Sequence, residues 1–341
     1  METARMDRDH LDPTRRRCSR RTALRAGAAG IAATTLVAAG RRTAPAQSAT
    51  PEASPADQRD FTGLVDIGGR NLYLECHGAG SPTVVLVAGG SSSARYWTDD
   101  LIHPDAPRTM VMPAVAKFTR VCAYDRPGTY AFIKDEIFPS RSDAVPQPRT
   151  VPEMVDELQA LLHAAGIPGP YVLAGHSWGG FMARFYAATY PDEVIGLVLV
   201  DAYTERLEPL AGKRWEALKR LNQPSATVIP IPGYGDIETL PFGADNAVMR
   251  KAVAATPLRP MPLAVLAHGR PFPLPKDAQG FTSASLEKLL LAANEDQATL
   301  VPNARFSVAT ESGHDIHQDQ PELVIGAVRQ VVDGVRNPDT W

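Results

Sequence analysis

Six residues, Gly175-His176-Ser177-Trp178-Gly179-Gly180, set a serine between two glycines where the apolar run Tyr171-Val172-Leu173-Ala174 gives way to a helical pattern. A strand that turns directly into a helix leaves no room for bulk two residues before and two residues after the turn's centre. Gly175 and Gly179 meet that demand, and the turn holds the Ser177 hydroxyl out above the sheet edge. Such a hydroxyl becomes a nucleophile once a base takes its proton and a third group fixes the base's tautomer. The base is predicted at His314, in Ser312-Gly313-His314-Asp315-Ile316-His317, where a loop after the last apolar run can turn an imidazole back toward Ser177. His317 is the competitor for that role and otherwise a supporting loop residue. His176 is read as a support of the turn, and His103 and His268 as satisfied polar or surface histidines.

When the serine comes first in the chain and the histidine last, the acid falls between residues 177 and 314. Asp201 ends the run Val198-Leu199-Val200, where a carboxylate emerges at the carboxyl edge of a sheet, and is the predicted acid. The next apolar run ends Leu266-Ala267-His268-Gly269 and supplies no carboxylate at the matching place. Asp277 is the rival. Acyl transfer also needs N–H donors aimed at the developing oxyanion. One is the Trp178 amide; the other is placed at Gly90, with Ser91 as the alternative, in the turn Val87-Ala88-Gly89-Gly90-Ser91-Ser92-Ser93.

The elements that must carry these groups alternate: short apolar runs and helical stripes follow one another, which predicts a parallel sheet covered on both faces. Leu64 to Ile67 and Asn71 to Cys76 flank Gly68-Gly69 and read as a hairpin. Buried strands follow at 83–88, 120–124, 171–174, 195–200, 263–267 and 305–309. Helices are read at 152–165, at 181–190 behind the serine, and near the end, where Leu323, Val324, Ala327, Val328, Val331 and Val332 recur at spacings of three and four. Residues 130–150, rich in Pro, Ser and charge, are predicted as a surface loop. The interval 202–262 is predicted to be a lid inserted at a strand's carboxyl end, its Trp215, Tyr234 and Phe242 giving a partly apolar pocket.

The amino end has a different character. Ser19-Arg20-Arg21 precedes an uncharged stretch from Ala26 to Gly40 and a small-x-small site at Ala44-Pro45-Ala46, so residues 1–46 read as a twin-arginine-type export signal and 47–60 as a flexible linker. Fifteen residues rich in Ala and Gly fall short of the about 20 that a bilayer span needs. Beyond residue 46 the chain holds 25 Lys and Arg against 34 Asp and Glu, a net −9 that gives no encouragement to nucleic acid or an anionic membrane surface as partner, and neither is expected. Residues 61–341 are expected to form one domain. Cys76 and Cys122 remain after loss of Cys18; they are too few for a disulfide framework or a cysteine metal site, and buried free thiols are expected.

These residues together resemble the α/β-hydrolase superfamily over roughly residues 61–335. The resemblance rests on Cys76-x-Gly78-x-Gly80-x-Pro82, Val121-Cys122-Ala123-Tyr124-Asp125-Arg126, the serine elbow and Ser312-Gly313-His314, in the pattern of bacterial members. Two departures are visible: Ala88-Gly89 stands where a histidine-glycine is usual, and Thr129-Tyr130 follows Asp125-Arg126-Pro127-Gly128 where a glycine is customary. The resemblance implies an eight-stranded, mostly parallel sheet whose second and fourth strands are neighbours, which would bring Cys76 and Cys122 within reach of one another. It also supports an acid after the sixth strand and a lid beyond it. The expected activity is that of an exported serine hydrolase acting on a small-molecule ester, with amide or lactone bonds ranked below. It requires no metal and no organic cofactor. Cofactor-free perhydrolysis, aminopeptidase activity and a non-catalytic binding role are the competing readings.

Overall fold

The computed structural model describes residues 59–134, 136–222, 236–274 and 280–341. The proposed signal at 1–46, nearly all of the linker, Tyr234 and the rival acid Asp277 lie outside them.

Among the described residues ten strands form: β1 (Phe61–Asp66), β2 (Asn71–His77), β3 (Thr83–Val87), β4 (Val121–Tyr124), β5 (Tyr130–Ile133), β6 (Glu136–Pro139), β7 (Tyr171–His176), β8 (Val194–Val200), β9 (Leu263–His268) and β10 (Arg305–Ala309). Eight of them make one sheet in the order β1-β2-β4-β3-β7-β8-β9-β10, parallel except that β2 runs against both its neighbours. Helices α1 (Arg95–Thr98), α2 (Val111–Val115), α3 (Val151–Ala164), α4 (Trp178–Thr189), α5 (Leu207–Ala211), α6 (Trp215–Asn222), α7 (Phe242–Ala255), α8 (Ser283–Gln297), α9 (Ile316–Asp319) and α10 (Pro321–Arg336) connect and cover it.

Burial on both faces explains the near-continuous Val, Leu and Ile of the central strands. Along β3, Val85 and Val87 enter the core shared with α3 and α4, while Val84 and Leu86 enter the core shared with α2 and α10. β8 divides the same way, Leu197 and Leu199 to one side and Val198 and Val200 to the other. The pleat, with its period of two, thus builds two cores from one run of sequence. The stripe Val324, Ala327, Val328, Val331 and Val332 seats α10 on the second core, as its spacing predicts.

Three features differ from the sequence reading. Residues 130–139 are not loop but a separate hairpin, with Ala131 opposite Phe138 and Phe132 opposite Ile137. Its two short runs of β-forming residues were masked by the Pro, Ser and charge that follow them. Helix α8 arises where no helix was assigned, started by reciprocal bonds between Thr282 and Ser285. Finally, Cys76 and Cys122 are joined, with an S–S distance of 2.05 Å, rather than being free thiols. They sit directly opposite in the antiparallel β2–β4 pair with Cα atoms 4.1 Å apart, a closeness that a cross-strand register creates and that sequence alone does not reveal.

The interval between β8 and β9 carries α5, α6 and α7 at the carboxyl ends of the strands. No helix of the described residues is long and apolar enough to cross a membrane.

Candidate active site

Ser177 stands between β7 and α4 at φ +51° and ψ −120°, a conformation that costs a residue with a Cβ about 1–3 kcal/mol and persists only where the surroundings enforce it. Enforcement comes from backbone bonds: Ser177 N–H donates to Val200 O at 3.0 Å, and Ser177 O accepts from Gly180 N and Tyr203 N, both at 3.0 Å, and from Phe181 N at 3.4 Å. A Cβ on Gly179 would overlap the Val87 carbonyl, and one on Gly175 the backbone of Gly179, so both predicted glycines are required by contact. Ser91 and Asp201 also have positive φ, so three of the five described non-glycine residues in that region surround this one place.

Asp201 leaves the end of β8 on a φ of +41°, its amide tied to Leu266 O on β9. Its side chain is buried, and its Oδ2 lies 2.6 Å from Nδ1 of His314. The predicted acid and base are therefore in contact. The same Oδ2 lies 2.7 Å from Nδ1 of His268, and Oδ1 accepts from Asn294 Nδ2 at 3.1 Å and His268 N at 3.3 Å. Burial opposes ionisation of Asp201, but the hydrogen bonds from His268 and His314 and their charges outweigh it and hold the carboxyl far below its usual range. For His314, burial pushes the pKa down, the bond to Asp201 and that carboxylate's charge push it up more strongly, and the net displacement is upward.

His268 was expected to be an ordinary satisfied histidine. Instead its imidazole is inside the site, 3 % exposed, with Nε2 2.9 Å from Oε2 of Glu287 on α8. Its position at the carboxyl end of the strand next to Asp201 was the available signal. His176 supports the turn from behind: its Nε2 faces the His314 carbonyl at 3.0 Å, and its ring packs 4.5 Å from that of His314. Burial, followed by the nearby His314, drives the His176 pKa down to about 3, so the ring is neutral and Nε2 carries the proton that the carbonyl accepts. His317 does not approach Asp201. It is fully buried, its ring tilted against those of His176 at 4.3 Å and Trp97 at 4.6 Å, and burial holds it neutral. His176, Asp315 and His317 bring ligand-type atoms within 4.8 Å of one another, but Nε2 of His176 is committed to the His314 carbonyl and no described group orients the His317 ring.

On the other side of Ser177 lies the turn 88–91. Arg126, from the loop after β4, donates to Ala88 O at 2.8 Å and Gly89 O at 2.5 Å. Glu238, from the β8–β9 interval, receives Arg126 Nε on Oε1 at 2.7 Å and Arg126 Nη2 on Oε2 at 3.0 Å. Oε2 also accepts the Ser91 amide at 2.6 Å. Both side chains are wholly buried. Ser91 N–H is thus consumed by Glu238 and is not free for an incoming group. The Gly90 and Trp178 amides have no acceptor among the described residues, and both residues line the same cavity as Ser177 and His314. Neither Arg126 nor Glu238 was singled out from the sequence as a site residue; Arg126 belonged to a recognised motif, and nothing marked Glu238.

The cavity measures about 910 Å³, within the range of small-molecule sites. Tyr203, Leu207, Leu240, Phe242, Phe272 and Leu290 give it a largely apolar wall. Phe242, expected in the pocket, packs edge-on against Trp178 with centroids 5.1 Å apart, whereas Trp215 is buried and does not line it.

The sequence matches the "Alpha/beta hydrolase family" over residues 84–327, and the chain belongs to that family. An AB hydrolase superfamily protein of Gibberella zeae is 22% identical over 306 residues, spanning 75% of this chain and 87% of that one. An uncharacterized Schizosaccharomyces pombe protein is 35% identical over 148 residues, 38% of this chain and 26% of its own length. Among the first-ranked curated relatives the chain spans between 19% and 49% of their lengths. Cfl2 of Burkholderia cenocepacia shares the fold at a TM-score of 0.54 with 19% identity, over 82% of this chain and 98% of that one.

Proposed function

We propose that this member of the family is an exported serine hydrolase that cleaves a carboxylic ester through an acyl-enzyme on Ser177. The observation that supports the reading is the 2.6 Å bond between His314 Nδ1 and Asp201, which leaves Nε2 as the other ring nitrogen, on a residue that lines the same cavity as Ser177. His314 takes the proton from Ser177 as its oxygen attacks the ester carbonyl. The tetrahedral oxyanion is received by the amides of Gly90 and Trp178. His314 then gives the proton to the departing alcohol; in the second half it draws a proton from the water that attacks the acyl-enzyme carbonyl and hands it to Ser177 Oγ as the acyl–oxygen bond breaks and the acid leaves. Asp201 fixes the tautomer and stabilises the imidazolium. These groups and water suffice, so no metal or organic cofactor enters the scheme.

Two further observations support the finer parts of this reading. Binding a substrate's amino terminus would require an uncommitted carboxylate, and the carboxylates of Asp201 and Glu238 on the cavity wall are already engaged, which favours an ester over amino-terminal peptide cleavage. A Cys76–Cys122 disulfide suits an oxidising compartment, in keeping with the export signal read in residues 1–46.

The test is a series of p-nitrophenyl esters of increasing acyl length, with fluorophosphonate labelling, on the chain and on Ser177→Ala. Turnover in Ser177→Ala is expected to fall by about three to six orders of magnitude, and labelling to vanish. A folded protein that never labels, or a variant that retains wild-type turnover, overturns the proposal.

A further inference from the structure

One buried titratable group at the site has no part in that scheme. His268 lies between two carboxylates, with Nδ1 2.7 Å from Asp201 Oδ2 and Nε2 2.9 Å from Glu287 Oε2. Glu287 is itself fixed, since its other oxygen accepts Phe272 N–H at 2.8 Å. A neutral imidazole has one donor and one lone pair, so in this position it would aim the lone pair at a carboxylate oxygen. Only the doubly protonated ring satisfies both contacts, and His268 is thus an imidazolium locked in the plane of the site. The electrostatics agree with the geometry: burial alone would favour the neutral ring, yet the bonds and charges of Asp201 and Glu287 raise its pKa to about 9.

The consequence falls on His314, because the two histidines bond to the same Asp201 oxygen. We propose that His268 is a positioning residue, a fixed cation that claims part of the Asp201 carboxylate and so limits how strongly that carboxylate holds a proton on the base His314. The idea rests on the hydrolase reading above and deepens it by naming what sets the pH range of the site. The groups that face His314 are Asp201 from the end of β8, His268 from β9, Asp315 from its own loop and His176 behind it, neutral at working pH. Facing His268 are Asp201, Glu287 and Asn294 from α8, and His314; Lys288 lines the small cavity that His268 and Glu287 share. Asp201 and Glu287 offer two negative charges, and His268 is the positive charge bonded to both.

The sign follows. His314 acts as a base only when neutral, so kcat/KM declines as pH falls through its titration. His268⁺ opposes protonation of His314 and carries activity to lower pH. Removing that charge must move the acid limb of the kcat/KM profile upward. In His268→Gln, kcat/KM at pH 6 relative to its own alkaline plateau is expected to fall about tenfold more than in the wild type, the effect of losing one charge at this range. A residue that merely packed would lower the plateau and leave the limb in place. An unmoved limb in a folded variant whose Ser177 still labels with fluorophosphonate refutes the role of His268. Loss of labelling in the wild type itself would instead overturn the hydrolase reading. Should His268→Gln fail to fold, ¹⁵N-histidine spectra of the wild type decide the matter, with the His268 signals assigned by their displacement in Glu287→Gln. Two protonated ring nitrogens at pH 7.5 uphold the proposal, and a neutral tautomer refutes it.

Discussion

Glu238→Gln is the substitution that most directly probes how the site is held together. Three donors converge on this buried carboxylate: Nε and Nη2 of Arg126 and the amide of Ser91. A glutamine has the same shape but one oxygen, so its NH2 group faces Arg126 Nε in one orientation and both Arg126 Nη2 and the Ser91 amide in the other, donor against donor. Arg126 is meanwhile left as a buried cation whose remaining acceptors are the carbonyls of Ala88 and Gly89. Both side chains are 0 % exposed, so solvent does not screen the loss, and breaking such a pair costs roughly 3–5 kcal/mol. For a domain of this size that corresponds to a fall in Tm on the order of 10 °C. The Ser91 bond, with those from Arg126 to Ala88 and Gly89, fixes the turn that bears Gly90; on the proposed reading of Gly90 as an oxyanion donor, displacing it lowers kcat by about 10²-fold while leaving KM nearly unchanged. Thermal unfolding by calorimetry and ester kinetics on the purified variant measure both. A Tm within about 2 °C of the wild type, together with a kcat within about twofold, would refute the claim that this ion pair organises the turn.

Two further substitutions test the scaffold. Cys76→Ser opens a loop of 46 residues and is expected to destabilise the domain by about 4 kcal/mol, read by chemical denaturation, while thiol titration of the denatured wild-type domain finds neither Cys76 nor Cys122 free. Gly179→Ala places a methyl group on the Val87 carbonyl, so it should abolish fluorophosphonate labelling and lower the yield of folded protein; normal labelling in that variant would show that the elbow has room to spare.

What the sequence made legible was local in the chain. The glycine-flanked serine, the strand-ending Asp201 and the Gly313-His314 loop each announce themselves within a few residues, because a sharp turn or a strand end constrains its own neighbours. The sheet was legible for the same reason, since burial on both faces writes continuous apolar runs. Arg126–Glu238 spans 112 residues and Asp201–His268 spans 67, and such pairs are set by which segments the topology brings together. Nothing beside Glu238 in the chain distinguishes it from a surface glutamate. The hairpin of β5 and β6 failed to register for a different reason: two runs of four residues are shorter than the composition bias that surrounds them.

The two long-range pairs do the same physical work on opposite sides of Ser177. A catalytic dipole helps the transition state only if it is already aimed when charge develops, because reorienting it during reaction would consume the gain. On one side Glu238 and Arg126 fix the turn bearing Gly90; on the other His268 and Asn294 fix the carboxylate that aims His314. Each buried carboxylate at the site is bonded to a cation or a set of donors, so none presents an uncompensated charge to the cavity. The largely apolar wall of Tyr203, Leu240 and Phe242 then meets the substrate without competition from free anions. On the proposed hydrolase reading, a site arranged this way favours an uncharged acyl group, and the charge it would receive is the one that forms beside the amides of Gly90 and Trp178 when Ser177 attacks.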